Sequence, residues 1–201
     1  MTPSAALACA LLALVACAPA QAGHGLMNAF GDIEWLPEPG RTPDQPDYAL
    51  DGLAERARLA VASVDERLAL RLGYAREKLA EAAAMVAAGD AASAGVAIDA
   101  YVAHVDAAVA DLDALEPAAR ATAAGRLANA LLEHQYLMSL DYLDQPRDTR
   151  TVIARIMGTA QTHYDGLVAT LPHSFKEARF FKEEEVRWSW EMALQADKQG
   201  L

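Results

Sequence analysis

The chain has 201 residues, and its 17 Lys and Arg against 28 Asp and Glu give a net charge of −11. This charge disfavours binding to nucleic acids and to anionic membrane surfaces, because both attract basic proteins. Hydrophobic residues make up 53% of the chain but aromatic residues only 6%. The apolar content is therefore mostly alanine, which favours closely packed helices over barrels and sandwiches, and we expect an all-α protein.

Residues 1–22 have the character of a signal peptide. Residues 5–16 are almost continuously apolar, which is too short for a membrane-spanning helix but typical of a signal-peptide hydrophobic segment. Two cleavage patterns remain open: a lipoprotein pattern ending at Cys17, which would then carry the lipid, and an ordinary site at Ala22-Gly23. The basic residues usual at the start of a signal peptide are missing. We expect a cell-envelope protein, either periplasmic or lipid-anchored, and otherwise a secreted one.

Residues 23–47 form a proline-rich arm or linker. Pro37, Pro39, Pro43 and Pro46 fall within ten residues, and this density favours extended or turning backbone over helix. Apolar residues including Trp35 precede the prolines. Two interpretations follow: a strap laid over one end of the core, or a peptide that binds a partner.

Residues 48–201 show the apolar spacing of an elongated antiparallel bundle of about four to five helices. The first apolar stripe comprises Leu50, Leu53, Ala57, Ala60, Val61 and Val64, and we expect it to pack into the interior. At Ser63 a capping-box pattern indicates either a new helix or a bend. The helical pattern then covers 63–88, 91–115, 117–143, 148–170 and 173–200, with short connections between them.

The last predicted helix is rich in aromatic residues and has two apolar faces. One face carries Phe181, Trp188 and Met192, and the other carries Val186, Trp190, Ala193 and Leu194. Either one face packs on the bundle while the other meets the arm, or the helix forms a dimer interface, where aromatic residues are enriched. The candidate partner-binding residues are Trp35, Phe181, Trp188 and Trp190. We expect the Lys182–Glu185 run to be a solvated face.

No motif for catalysis is present in the sequence. It has no Glu-x-x-His pair for a di-iron centre, no Gly-x-Ser-x-Gly, no His-Glu-x-x-His and no phosphate-binding Gly-x-x-x-x-Gly-Lys. Both cysteines lie in the predicted signal peptide, which leaves the mature domain without a thiol. We therefore expect a protein that is not an enzyme and has no cofactor. Glu55 and Arg58 have the spacing of a surface ion pair.

His134 and Met138 are the weak candidates for metal ligands. Their i, i+4 spacing puts an imidazole and a thioether on one helix face, a ligand pair that suits copper. The apolar helix face that carries these two residues is also typical of an ordinary hydrophobic core. A wider interior around these two residues, His163 and Tyr164 is the alternative location for a small-molecule or metal site.

The beginning of the predicted domain resembles a bacterial family of extracytoplasmic all-helical domains of unknown function. The resemblance covers about residues 36–112 and is carried by Leu36-Pro37, Tyr48-Ala49-Leu50, Leu53-Ala54-Glu55-Arg56, Arg76–Ala82, Gly89-Asp90 and Ala100-Tyr101. It implies export and helical hairpins, and it implies no activity and no catalytic residue.

These observations predict an exported, lipid-anchored envelope protein that acts as a non-catalytic structural or protein-interaction module. Its partner would be another envelope protein or a second copy of the chain, and it would meet the membrane through a lipid on Cys17. The alternative is a periplasmic helical bundle that binds a small molecule or a metal ion.

Overall fold

A computed structural model describes residues 29–200 of the chain, apart from the side chain of residue 148. The predicted all-α bundle is confirmed, since the described residues form α-helices and one short 3₁₀ helix and contain no strand. The helices are α1 (Tyr48–Val61), α2 (Val64–Ala87), α3 (Ala91–Leu112), α4 (Pro117–Asp141), α5 (Arg147–Thr170) and α6 (His173–Gln199), with the 3₁₀ helix at Tyr142–Asp144. Cys17 lies outside the described residues.

Ser63 separates α1 from α2. The Ser63 hydroxyl accepts a hydrogen bond from the Glu66 backbone amide at 3.4 Å, and the Glu66 carboxylate accepts one from the Ser63 amide at 2.9 Å. This reciprocal capping box satisfies two amides that the start of a helix leaves without partners. The capping box begins a new helix, which is one reason why the described residues contain six α-helices instead of four to five.

Gly89 ends α2 and reverses the chain into α3. The Gly89 amide donates to the Val86 carbonyl at 3.0 Å and the Asp90 amide donates to the Met85 carbonyl at 2.9 Å, which is the Schellman pattern of helix ends. Gly89 has a φ of 75°, a conformation that costs glycine little. Asp90 then caps α3 by accepting from the Ser93 amide at 3.0 Å.

The helices pack against one another to different extents, and α6 packs mainly on α4 instead of on α5, which precedes it in the chain. The most extensive packing is between α2 and α3, and between α4 and both α5 and α6. Alanines lie among larger apolar side chains in the core, which lets the helices approach closely. Members with 1% exposure or less include Leu79, Ile98, Leu127, Leu131 and Ile156.

The arm lies against the bundle over residues 29–47. Phe30 is buried and stacks on Tyr136 of α4 with ring centroids 4.1 Å apart. The Ala29 amide donates to Glu185 of α6 at 2.9 Å. Arg76 of α2 donates to the backbone carbonyls of Glu34 and Trp35 and pairs with the Glu34 carboxylate. The arm is therefore fastened to three helices.

Helix α1 is oriented opposite to our expectation. Its apolar stripe was predicted to pack into the interior, and this prediction is wrong: Leu50, Leu53 and Val61 are 62%, 57% and 87% exposed. The one buried residue of α1 is Glu55. The apolar stripe faces solvent because the polar side of α1 is bound to charged groups of α2 and α3.

No helix in the 29–200 range combines the length and the apolar character needed to span a bilayer.

Candidate functional site

A buried cluster of charged side chains joins α1, α2 and α3. At its centre the Lys78 side chain is 2% exposed, and its Nζ lies 2.7 Å from Glu81 Oε1 and 2.9 Å from Glu55 Oε1. The Glu81 side chain has no exposure at all. Asp51 of α1 lies 3.8 Å from the same Nζ. One ammonium therefore holds carboxylates from two helices.

Tyr48 and His104 complete this cluster. The Tyr48 hydroxyl donates to Glu81 Oε2 at 3.0 Å, and the Tyr48 ring centroid lies 5.0 Å from the Lys78 ammonium. His104 Nε2 of α3 lies 3.2 Å from Glu55 Oε2. Each buried carboxylate thus has two partners, which offsets the cost of removing its charge from water.

The pKa values in the cluster follow from burial and from these contacts. Burial alone would raise the pKa of Glu55, but the hydrogen bonds with His104 and Lys78 outweigh it and lower the pKa below its usual value. Glu81 has the opposite balance, since its deeper burial raises its pKa. Burial and the Glu81 carboxylate raise the pKa of Tyr48 to about 12.

The cluster includes three acidic groups with the spacing of a cation site. Carboxylate oxygens of Asp51, Glu77 and Glu81 lie within 4.8 Å of one another. Lys78 already provides a positive charge beside Asp51 and Glu81. The arm passes over Glu77 at Gly40, where an added Cβ would lie 2.5 Å from the Glu77 carboxylate. The arrangement is that of an internal ionic lock that fixes α1, and it does not call for a metal ion.

Sequence reasoning assigned Glu55 to a surface pair with Arg58, which the structure contradicts. Glu55 is 6% exposed and binds Lys78 and His104 instead. The Lys78–Glu81 ion pair could have been predicted from the sequence, because side chains three residues apart on a helix are neighbours. That spacing carries no information about burial, which comes from tertiary packing.

A second polar feature is a cleft of about 170 Å³ between the arm, α2 and α4, which we call the His134 cleft. Its polar lining consists of Glu34, Arg76, Glu133 and His134, and its apolar lining includes Leu72 and Leu137. His134 is 4% exposed, and its Nδ1 lies 3.4 Å from the buried Tyr101 hydroxyl. Burial, together with the charge of Arg76, lowers the pKa of His134 to about 3, so its imidazole is neutral at pH 7.

The structure places the candidate metal and ligand residues apart. His134 lines the cleft with Arg76, whereas Met138 lines a separate small cavity with Val86 and Ile153. His163 Nε2 lies 2.7 Å from Asp106 of α3, and the Tyr164 hydroxyl donates to Glu183 of α6. Within the described residues these side chains do not converge on one interior site.

The candidate partner-binding residues divide into two groups. Trp190 is half-buried and packs edge-on against Tyr142 with ring centroids 4.9 Å apart, as part of the bundle. Trp35, Phe181 and Trp188 are 57%, 59% and 40% exposed. The second apolar face of α6 therefore packs on the bundle, while its Phe181 face is largely accessible.

The Lys182–Glu185 run was expected to be a solvated face, and this prediction is wrong. Glu185 accepts from the Ala29 amide at 2.9 Å and from the Tyr136 hydroxyl at 3.2 Å. Lys182 lies 3.4 Å from Asp32 and 4.9 Å from the Phe30 ring centroid. The run attaches the arm and neighbouring helices to α6.

Residues 40–140 match the family described as Domain of unknown function (DUF5667). The chain belongs to this family. The DUF5667 match extends beyond the resemblance seen over residues 36–112 and continues through α4. No curated protein and no solved structure matches the chain significantly.

On the structure, the DUF5667 region comprises the end of the arm and helices α1 to α4. It includes the whole ionic lock and the α2 and α4 walls of the His134 cleft. The exposed aromatic face of α6 lies outside it. The ionic lock thus belongs entirely to the part of the chain that the family defines, and the His134 cleft belongs to it except for Glu34.

Proposed function

We propose that this DUF5667 protein is a non-catalytic binding module of the cell envelope that presents the apolar face of α1 to a partner protein. The observation that carries the proposal is the orientation of α1. Its charged side is buried on Lys78 while its apolar side is exposed.

The apolar face of α1 is continuous. At 100° per residue its members occupy about 120° of the helix circumference, and all are exposed: Leu50, Leu53, Ala54, Ala57, Ala60 and Val61. Contiguous apolar patches on a soluble surface mark interaction sites, because leaving them in water costs free energy.

The ionic lock explains why this face does not turn inward. Rotating α1 would remove Glu55 from the Lys78 ammonium and leave that buried charge with fewer partners, which is costly in a low-dielectric interior. The lock therefore holds the apolar face outward and orders it before a partner arrives. An ordered surface binds with a smaller loss of conformational entropy than a flexible one.

Charge favours a different protein over a second copy as the partner. Two copies would each carry a net charge of −11 over the whole chain, and like-charged proteins repel. We infer a partner of net positive charge that presents an amphipathic helix, whose apolar face packs on the apolar face of α1.

Photocrosslinking tests this proposal directly. Leu53 is replaced by photoreactive benzoylphenylalanine in the full chain, and Val96 of α3, which is 49% exposed, is replaced in the same way as a matched control. We expect a crosslinked basic protein at position 53 and not at position 96. Adding Leu50→Glu should strongly reduce the yield at position 53 without changing the circular dichroism spectrum.

Two outcomes would contradict the proposal. Equal adducts at positions 53 and 96 would show that α1 is not a specific surface. An adduct that contains only a second copy of this chain, together with a dimeric mass by light scattering, would replace the basic partner with self-association.

Envelope anchoring through Cys17 is part of the proposal and rests on the sequence alone. The support is the apolar run at residues 5–16 followed by a small-residue pattern ending at Cys17. Detergent-phase partitioning of the full chain provides the test. We expect Cys17→Ala to move the protein into the aqueous phase and Cys9→Ala to leave it in the detergent phase; equal partitioning of the two variants would exclude the lipid anchor.

A further inference from the structure

The His134 cleft has an unbalanced set of charges. Its lining contains one cation, Arg76, and two carboxylates, Glu34 and Glu133. Arg76 pairs with Glu34, and the nearby Lys182 pairs with Asp32. Glu133 forms no salt bridge and no hydrogen bond among the described residues, although the charges of Lys182 and Arg76 attract it. One carboxylate of the lining is therefore without a direct salt bridge.

His134 is the second unpartnered group in this cleft. It is 96% buried, and its one hydrogen bond within residues 29–200 is the contact between Nδ1 and the Tyr101 hydroxyl at 3.4 Å. Nε2 has no partner there, although the side chain lines the cleft. A neutral imidazole beside a carboxylate accepts a hydrogen bond from a cation without repelling it.

The remaining lining is apolar and the space is limited. Leu72, Ala130 and Leu137 form the apolar part of the wall. An engineered apolar cavity of about 150 Å³ holds one benzene molecule, so the 170 Å³ of this cleft suits a ligand of similar size. Pockets of this kind combine apolar walls with a few polar groups that orient the ligand.

We propose that the His134 cleft binds a small aliphatic ammonium ion. The ammonium lies between the Glu133 carboxylate and His134 Nε2, and its alkyl chain packs on Leu72 and Leu137. In the tautomer that binds, Nδ1–H donates to the Tyr101 oxygen and the Nε2 lone pair faces the ligand. The site is independent of the α1 surface, since α1 contributes no residue to the cleft.

Two other ligand classes fit the cleft less well. A small carboxylate would meet the unpaired Glu133, while the Arg76 guanidinium is already engaged by Glu34 and by two backbone carbonyls. A metal ion would have two ligands here, and the histidine and acidic side chains of the described residues form no three-ligand group at this place. An ammonium ion needs no fixed coordination geometry.

Binding is tested by NMR titration of the ¹⁵N-labelled full chain at pH 7 with n-butylammonium chloride. We expect saturable shifts of amides near Gly73 and Arg76 on α2 and near Glu133 and His134 on α4. The His134 Nε2 signal should move to the position of an unprotonated nitrogen. Sodium butyrate at the same ionic strength should cause no saturable shift.

Two variants with matched controls locate the site. Glu133→Gln should weaken butylammonium binding about tenfold or more because it removes the charge, whereas Glu191→Gln on the exposed side of α6 should not. Gly73→Leu should abolish binding by filling the cleft, because a Cβ at Gly73 meets no atom within 4 Å. Gly95→Leu on α3, where a Cβ also meets nothing, should bind as the unaltered chain does.

Three results would overturn the proposal. The first is the absence of a saturable shift up to about 50 mM butylammonium, which lies beyond the range of a specific weak site. The second is equal affinity for butyrate. The third is unchanged affinity in a folded Glu133→Gln variant. A zinc titration that saturates the same amides and blocks butylammonium would reassign the site to a metal ion.

Discussion

Lys78 and Glu81 lie one turn apart on α2 and form an ion pair that is almost completely removed from water, with Nζ 2.7 Å from Oε1. An i, i+3 pair on a helix surface contributes a few tenths of a kcal/mol. This pair has a different role because Glu55 of α1 shares the same ammonium. The ammonium shared by Glu81 and Glu55 attaches α1 to the rest of the bundle.

Replacing Lys78 tests the ionic lock. We expect Lys78→Met to lower the free energy of unfolding at pH 7 by about 3–5 kcal/mol, because it leaves the Glu81 carboxylate buried without its cation. Urea denaturation followed by circular dichroism measures this. Since the pKa of Glu81 is already raised by burial, the loss should shrink as the pH falls and Glu81 takes up a proton.

The control for this variant is Lys176→Met on the exposed side of α6, which should change stability by less than about 0.5 kcal/mol. Adding Glu81→Gln to Lys78→Met should restore part of the loss by removing the unpaired charge. A Lys78→Met protein as stable as the unaltered chain would show that the lock contributes nothing to stability.

His134 should make the protein sensitive to acid. Its pKa is about 3 in the folded chain, and about 6.5 is expected in the unfolded chain. Between these values the unfolded state binds one more proton, so stability falls as the pH drops from about 6.5 toward 3, by about 1.4 kcal/mol per unit. From pH 7 to 5 the contribution of His134 amounts to a loss of about 2 kcal/mol.

Unfolding free energies of His134→Gln between pH 5 and 7 check this expectation, because glutamine cannot take up the proton. The slope of stability against pH should become flatter than in the unaltered chain. His173→Gln, at an imidazole that is 83% exposed, should keep the original slope. An identical slope in all three proteins would disprove the assignment.

Two glycine variants should change the stability of the protein in opposite directions. Gly89→Ala should destabilise the protein by about 1 kcal/mol, because alanine is strained at a φ of 75°. Gly95→Ala lies inside α3 with no atom within 4 Å of the new Cβ, and it should stabilise the protein by about 0.5–1 kcal/mol. Thermal unfolding measures both, and a destabilising Gly95→Ala would contradict the open space found there.

The two aromatic faces of α6 should respond differently to truncation. Trp190→Ala should cost about 2–3 kcal/mol in unfolding free energy, because it removes the half-buried packing against Tyr142. Phe181→Ala, at a side chain that is 59% exposed, should stay within about 0.5 kcal/mol. If Phe181→Ala proved as costly as Trp190→Ala, both faces of α6 would have to be structural.

The helices were predictable because their limits are local. Ser63, Gly89, Pro117 and Pro172 act within one turn of the chain, and the structure has α2 to α6 close to the expected positions. The direction in which α1 faces was not predictable, since its apolar stripe looks like any core stripe. It depends on Lys78 and His104, which come from other helices. The His134 cleft could not be predicted from the sequence for the same reason, because it forms only where the arm and two helices meet.

The outward orientation of α1 also determines which conditions can release it. Because the helix is fastened mainly by charged groups, its detachment would expose little additional apolar surface and would change the heat capacity only slightly. The enthalpy of detachment would then vary little with temperature. Dissolved ions screen charges that become exposed during opening, so a higher ionic strength would increase the fraction of molecules in which α1 is released.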